Sequence, residues 1–124
     1  MKTFRTTTFL LLVVLALTAC GGGDGSSSEP VDAGDGTVQV EASDLAFSPT
    51  QVSAAAGEIE VVLDNVGATE HDFAIEEAGD EVVVQAAPGE TATGTIELEA
   101  GTYTFYCAVP GHREAGMEGT LEVQ

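Results

Sequence analysis

From Thr37 onward, apolar and polar residues alternate in short runs separated by turn residues about every eight to twelve positions. With no helical period competing, this spacing predicts an antiparallel sandwich or barrel. Val38 and Val40 alternate with Thr37, Gln39 and Glu41, giving a strand with one buried face. Leu45, Phe47 and Val52 follow, with Pro49 breaking the run into an edge or a bend. Ala54 to Gly57 turns the chain into Ile59, Val61 and Leu63, whose polar neighbours point the other way. After the turn from Asn65 to Glu70, His71, Phe73 and Ile75 share one face, so His71 is expected to point inward, while Asp72, Ala74 and Glu76 take the opposite face. Val82 to Val84 and Thr95 to Leu98 supply two further strands. Tyr103, Phe105 and Cys107 then share the buried face of a strand over Thr102 to Cys107, and Leu121 and Val123 mark the last strand.

The start of the chain follows a different pattern. Residues 1–19 have a basic start, an apolar run from Phe9 to Leu17 and small residues before Cys20. The run is too short for a stable membrane-spanning helix and is expected to be a signal peptide. Leu17-Thr18-Ala19-Cys20 resembles the bacterial lipobox, which implies cleavage before Cys20 and attachment of lipid to its sulfur. An ordinary signal peptide with an incidental cysteine is the plainer alternative. Lipidation would place the protein outside the cytoplasm, anchored to the cell membrane on its periplasmic or outer face. Residues 20–36 are rich in Gly, Ser and acid and are expected to form a flexible tether, leaving residues 37–124 as one domain of a 124-residue chain.

Charge narrows the choice of partners. The sequence has 3 Lys and Arg against 21 Asp and Glu, and Lys2 and Arg5 fall within the signal. From Cys20 onward Arg113 alone faces all 21 acids, a formal charge of −20. That excludes charge-driven binding to nucleic acid or an anionic membrane surface. Basic partners or a saline medium suit it better, although an acidic surface also serves solubility alone.

The stretch from Tyr103 to Gly119 gathers Cys107, His112 and Met117, and the only other histidine is His71. If the strand starting at His71 runs antiparallel to the one ending at Cys107, all four residues meet at one end of the sandwich. Pro110-Gly111 and Ala115-Gly116 provide the turns that this requires. Two His, a Cys in a trigonal set and a weak axial Met make up the donor set of a blue-copper electron-transfer site. Each residue alone has a duller reading as a buried hydrophobe, gap filler or hydrogen-bonded core histidine. Together they point to one copper ion cycling between Cu(I) and Cu(II). Zinc disfavours Met and usually recruits a further Cys or His. A Cys20–Cys107 disulfide is the other use of two cysteines in an oxidising compartment. An enzyme with a second copper site would need histidines beyond these two.

These residues resemble the cupredoxins of the plastocyanin and azurin kind. The four-residue gaps from Cys107 to His112 and from His112 to Met117 are similar to the auracyanin or sulfocyanin variety. The likeness extends over residues 37–124 through Leu45-Ala46-Phe47-Ser48-Pro49, Asn65-Val66-Gly67, Tyr106-Cys107 and Gly116-Met117-Glu118-Gly119. It implies an all-β Greek-key sandwich of about eight strands, with His71 and His112 bound through Nδ1, a Cys107 thiolate and a long bond to Met117. It also implies an electron carrier, monomeric and not an enzyme, serving membrane-associated donor and acceptor proteins. Electrons are expected to pass at the His112 edge through Ala108, Val109 and Pro110. A second route runs through Tyr106 towards Glu76, Glu77, Asp80 and Glu81, against the plainer reading that Tyr106 only covers the sheet. A copper-delivery protein is the alternative function. One departure stands out: the family usually has Asn where this chain has Asp72, which accepts hydrogen bonds but donates none unless protonated.

Overall fold

The computed structural model describes residues 31–33 and 36–124. The signal peptide, Cys20 and most of the expected tether lie outside the described residues. Among the described residues ten strands form two sheets: β1 (Val31–Ala33), β2 (Thr37–Ser43), β3 (Ala46–Ser48), β4 (Gln51–Ala54), β5 (Gly57–Asn65), β6 (His71–Ile75), β7 (Glu81–Ala86), β8 (Thr91–Leu98), β9 (Gly101–Tyr106) and β10 (Glu118–Val123). The larger sheet has the order β1-β4-β10-β9-β6-β7 and the smaller β3-β2-β5-β8, making the Greek-key sandwich expected. Two strands exceed the expected eight because the short β1 and β3 are counted separately. Among the described residues no helix is long and apolar enough to cross a membrane.

Alternation locates the core as predicted. Val38, Val40, Ile59, Val61, Leu63, Leu121 and Val123 are all buried. Phe47 from the smaller sheet reaches across to Phe105, at 5.3 Å between centroids in an edge arrangement, and Phe105 stacks on Phe73 at 4.6 Å. Such ring geometries add to plain area burial. They fix the larger sheet against the smaller directly beneath His71 and Cys107, each two residues from one of these rings. Pro49 marks the bend where the chain leaves the smaller sheet at β3 and enters the larger at β4, and the Ser48–Pro49 bond is cis.

Two expectations need correction. Val31–Ala33, within the stretch read as tether, forms β1, which covers the edge of β4 by parallel pairing from Val31–Val52 to Ala33–Ala54. The alternation that marks longer strands is too brief there to show. In addition, all five residues of β6 are buried, including Asp72 and Ala74 on the face expected to be open. β6 lies between β7 and β9, and Ala74 pairs with Tyr106, whose large side chain shares that outer face.

The sandwich closes tightly where β7 meets β8. A Cβ added to Gly94 would collide with the Val83 carbonyl, so β8 approaches β7 more closely than any side chain permits. Gly94→Ala is therefore expected to lower stability by about 1–3 kcal/mol, the usual cost of overpacking. The change should appear as a lower urea midpoint with an unchanged slope; an unaltered midpoint would show that the β7–β8 contact yields freely.

Candidate metal centre

His71 begins β6 and Cys107 follows β9, and these strands pair antiparallel through Ala74–Tyr106 and Ile75–Phe105. Their ends therefore meet. Beyond Ala74 the ladder is continued by side chains: the Asp72 amide donates to Cys107 Sγ at 3.5 Å and the Ala108 amide donates to Asp72 Oδ1 at 2.6 Å. Two groups that would have joined strand to strand thus hold the sulfur and the loop following it. Asp72 takes the accepting half of the brace that an Asn would make.

The loop from Ala108 to Met117 folds back on itself. The His112 amide donates to the Val109 carbonyl, and the Met117 amide donates to the His112 carbonyl at 3.1 Å. The Cys107 amide in turn donates to the Met117 carbonyl, also at 3.1 Å. Gly111 and Gly116 have φ of 87° and 101°, a left-handed conformation that suits glycine, at the two turns expected. Arg113 pairs with Glu76 and Glu118, and its guanidinium lies 4.2 Å from the Tyr106 ring centre. This clasp joins the loop to the β6–β7 turn.

The result is a compact donor cluster. One ligand atom from each of His71, Cys107 and His112 lies within 4.8 Å of the other two. Cys107 Sγ is 3.9 Å from His71 Nδ1 and 3.4 Å from His112 Nδ1. Metal bonds of about 2.0–2.3 Å to nitrogen and sulfur, spread trigonally, place such donors about 3.6 Å apart. The observed distances lie on either side of that value, so the three residues suit a single metal ion. His71, Cys107 and Met117 are fully buried and His112 is half-buried. Met117 is tied to the cluster through its backbone bonds to Cys107 and His112.

Electrostatics prepares the two buried groups differently. Burial, followed by the neighbouring His112, pushes His71 below the ordinary histidine value, outweighing Asp44 and Asp72, so its imidazole is neutral and can act as a donor at pH 7. Burial pushes the Cys107 thiol above its ordinary value, although amides of Asp72 and Val109 donate towards the sulfur and pull the other way. Metal uptake at pH 7 would thus displace a proton from sulfur. Among the described residues Cys107 is the one cysteine and is a free thiol.

Of the residues expected at the exchange surface, Ala108 and Pro110 are exposed and Val109 is half-buried. Tyr106 is only 7% exposed. It does turn away from the sandwich core, but Arg113 covers its ring and its hydroxyl donates to Asp80 at 2.7 Å. Of the acids expected around it, Glu76 pairs with Arg113 and Glu77 accepts from the Thr104 amide at 2.7 Å. Strand alternation places Tyr106 outside the core, but it cannot show that a loop cation lies over the ring. Asn65 and Asp44, which hold the loop before His71, were also missed as site residues, although the Asn-x-Gly turn was the available signal.

Known proteins are similar to this chain to different degrees. The plastocyanin of Lactuca sativa is 36% identical over 91 residues, covering 64% of this chain and 88% of the plastocyanin. The chloroplastic plastocyanin of Fritillaria agrestis is 39% identical over 93 residues, covering 64% of this chain but 52% of that protein. Reduced auracyanin from Roseiflexus castenholzii has the same fold, with a TM-score of 0.61 at 22% identity over 73% of this chain and 98% of its own. Auracyanin A of Chloroflexus aurantiacus, described as a blue copper protein, superposes with a TM-score of 0.56 at 26% identity, covering 72% of this chain and all of its own. The profile of the cupredoxin-like domain matches residues 8–123, and with the two-sheet topology and the donor cluster at one end of it, the chain belongs to the cupredoxin-like family.

Proposed function

We propose that the protein is a type 1 copper electron carrier, with His71, Cys107, His112 and Met117 as ligands. The convergence of the His71, Cys107 and His112 donor atoms within 4.8 Å supports this reading most directly. A bound copper ion supplies one-electron chemistry between Cu(I) and Cu(II). The chain's part is to hold the donors still. The Asp72 amide steadies the sulfur, and the loop's own hydrogen bonds fix His112 and Met117 relative to Cys107. Small movement of the donors on electron transfer is what makes such a carrier fast.

Electrons leave by the half-buried His112 edge, beside Ala108, Val109 and Pro110. Exposed Leu45 and Val66 lie on the β2–β3 and β5–β6 connections, next to Asp44 and Gly67, which meet beside His71. The Tyr106 side, closed by Arg113, is the poorer route. Partners are donor and acceptor redox proteins, met by a monomer held outside the cytoplasm by lipid on Cys20. β1 runs parallel to β4, and β4 to β10, which leads away from the metal centre, so the N-terminal end of β1 faces the centre. An anchor preceding β1 would keep that end towards the membrane, where such partners reside. In this reading residues 1–19 are the signal, residues 20–36 the anchored tether with β1 near its end, and residues 37–124 the carrier domain.

The first test is the visible spectrum of the fragment from Gly21, loaded with Cu(II) and then reduced. An intense blue thiolate-to-copper band that bleaches on reduction and returns on oxidation is expected. A colourless protein, or one that sheds copper on reduction, would instead favour copper delivery or another metal. Asp72, 5% exposed and bonded to Ala108, places a carboxylate beside the sulfur. Asp72→Asn preserves the accepting oxygen but removes the charge that favours Cu(II), so the reduction potential should rise in voltammetry. An unchanged or lower potential would refute this role for the charge.

A further inference from the structure

The connection between β5 and β6 has no regular structure, yet it is tied along its length. Asn65 is 1% exposed, and its side chain uses both donors and its acceptor. Nδ2 donates to the Thr69 carbonyl at 2.8 Å and to the Ala86 carbonyl at 2.9 Å, while Oδ1 accepts from the Gly67 amide at 2.9 Å. From the opposite side, Asp44 Oδ1 accepts from the Ala68 amide at 2.9 Å, and the Val66 amide donates to the Ala42 carbonyl at 2.9 Å. The segment is therefore held to β7 at one point and to the β2–β3 turn at another.

His71 receives the effect of this bracing. Thr69 Oγ1 lies 3.4 Å from His71 Nε2. A Cβ on Gly67 would fall 2.9 Å from His71 Nε2 and 2.8 Å from Asp44 Oδ1, so the Gly67 backbone closes against the outer nitrogen with no room for a side chain. With Nε2 enclosed, Nδ1 is left facing Cys107 Sγ. Groups bonded around a metal-binding histidine fix its ring orientation, and here the enclosing segment is held by one buried amide, Asn65, with Asp44 as a second, exposed tie.

We propose that Asn65 is a positioning residue for the metal centre: by pinning residues 66–70 it sets the rotation of the His71 ring, with Nδ1 towards Cys107, before any metal binds. This rests on the reading of His71 as a ligand. An amide that only satisfied the turn would affect stability alone. A positioning amide also sets metal affinity, because a ring already oriented loses no rotational freedom when it coordinates.

The test compares Asn65→Ala, Asp44→Ala and a control, Val38→Ala, which weakens the core through a residue away from this loop. Amide exchange and the His71 ring resonances are read in the metal-free protein, and Cu(I) affinity by competition with a chromophoric chelator. Asn65→Ala should lose exchange protection at Gly67 and Ala68, shift or broaden the His71 ring signals, and weaken Cu(I) binding by about 10–100-fold. Val38→Ala should lose stability without that loss of affinity. Asp44→Ala, altered at an exposed side chain, should release Ala68 and weaken Cu(I) binding by a smaller factor. Affinity in Asn65→Ala equal to that of the control would overturn the proposal. If Asn65→Ala does not fold, unchanged Ala68 exchange and Cu(I) affinity in Asp44→Ala would overturn it instead. Should the parent chain bind no Cu(I), the copper reading fails separately, and unmoved His71 ring signals in the metal-free variants would then refute the positioning role.

Discussion

The candidate metal centre depends on where the pairing of β6 with β9 stops. Two residue pairs join these strands, Ala74–Tyr106 and Ile75–Phe105, and beyond them the strands part. Parting strands leave amides without ladder partners, and buried amides without partners are costly. Here the Asp72 amide finds Cys107 Sγ and the Ala108 amide finds Asp72 Oδ1. The need to satisfy two backbone groups thus places the sulfur and turns the next loop over it. His71, at the start of one strand, and Cys107, just past the end of the other, are brought together by the same break.

Everything around that break resists deformation. Phe47, Phe73 and Phe105 lock the two sheets below it, and the close β7–β8 contact at Gly94 shuts one side. Above it, the loop from Ala108 to Met117 is closed by its own hydrogen bonds and clasped to the β6–β7 turn by Arg113. Exposed ion pairs contribute little to stability. The value of this clasp lies in covering Tyr106 and consuming the only cation among the described residues, which leaves a surface of acids. In the proposed carrier, a partner reaching the centre beside His112 would meet that negative field around it.

Much of this could be read from the residues in order. Period-2 alternation identified the buried faces of β2, β5 and β10 and turned His71 inward, because each of those strands has one face on the core. Gly111 and Gly116 announced the turns of the metal loop through their conformational freedom. Alternation reports only the layer that a strand helps to form, so it missed the second cover over Asp72 and Ala74, as well as Arg113 lying on Tyr106. β1 escaped because three residues carry too little pattern and its parallel partner is distant in sequence. The part played by Asn65 depends on Ala86 and Thr69 arriving beside it, which only the folded chain brings about.

In the proposed carrier the fold, not the metal, sets the positions of the donors. X-ray absorption at the copper edge in both oxidation states, together with a crystal structure of the metal-free protein, would decide this. A short copper–sulfur bond and two copper–nitrogen bonds should change little between Cu(II) and Cu(I), with His71, Cys107, His112 and Met117 already in place when metal is absent. Bonds that lengthen markedly or a donor lost on reduction, or a metal-free loop from Ala108 to Met117 in a different fold, would contradict it.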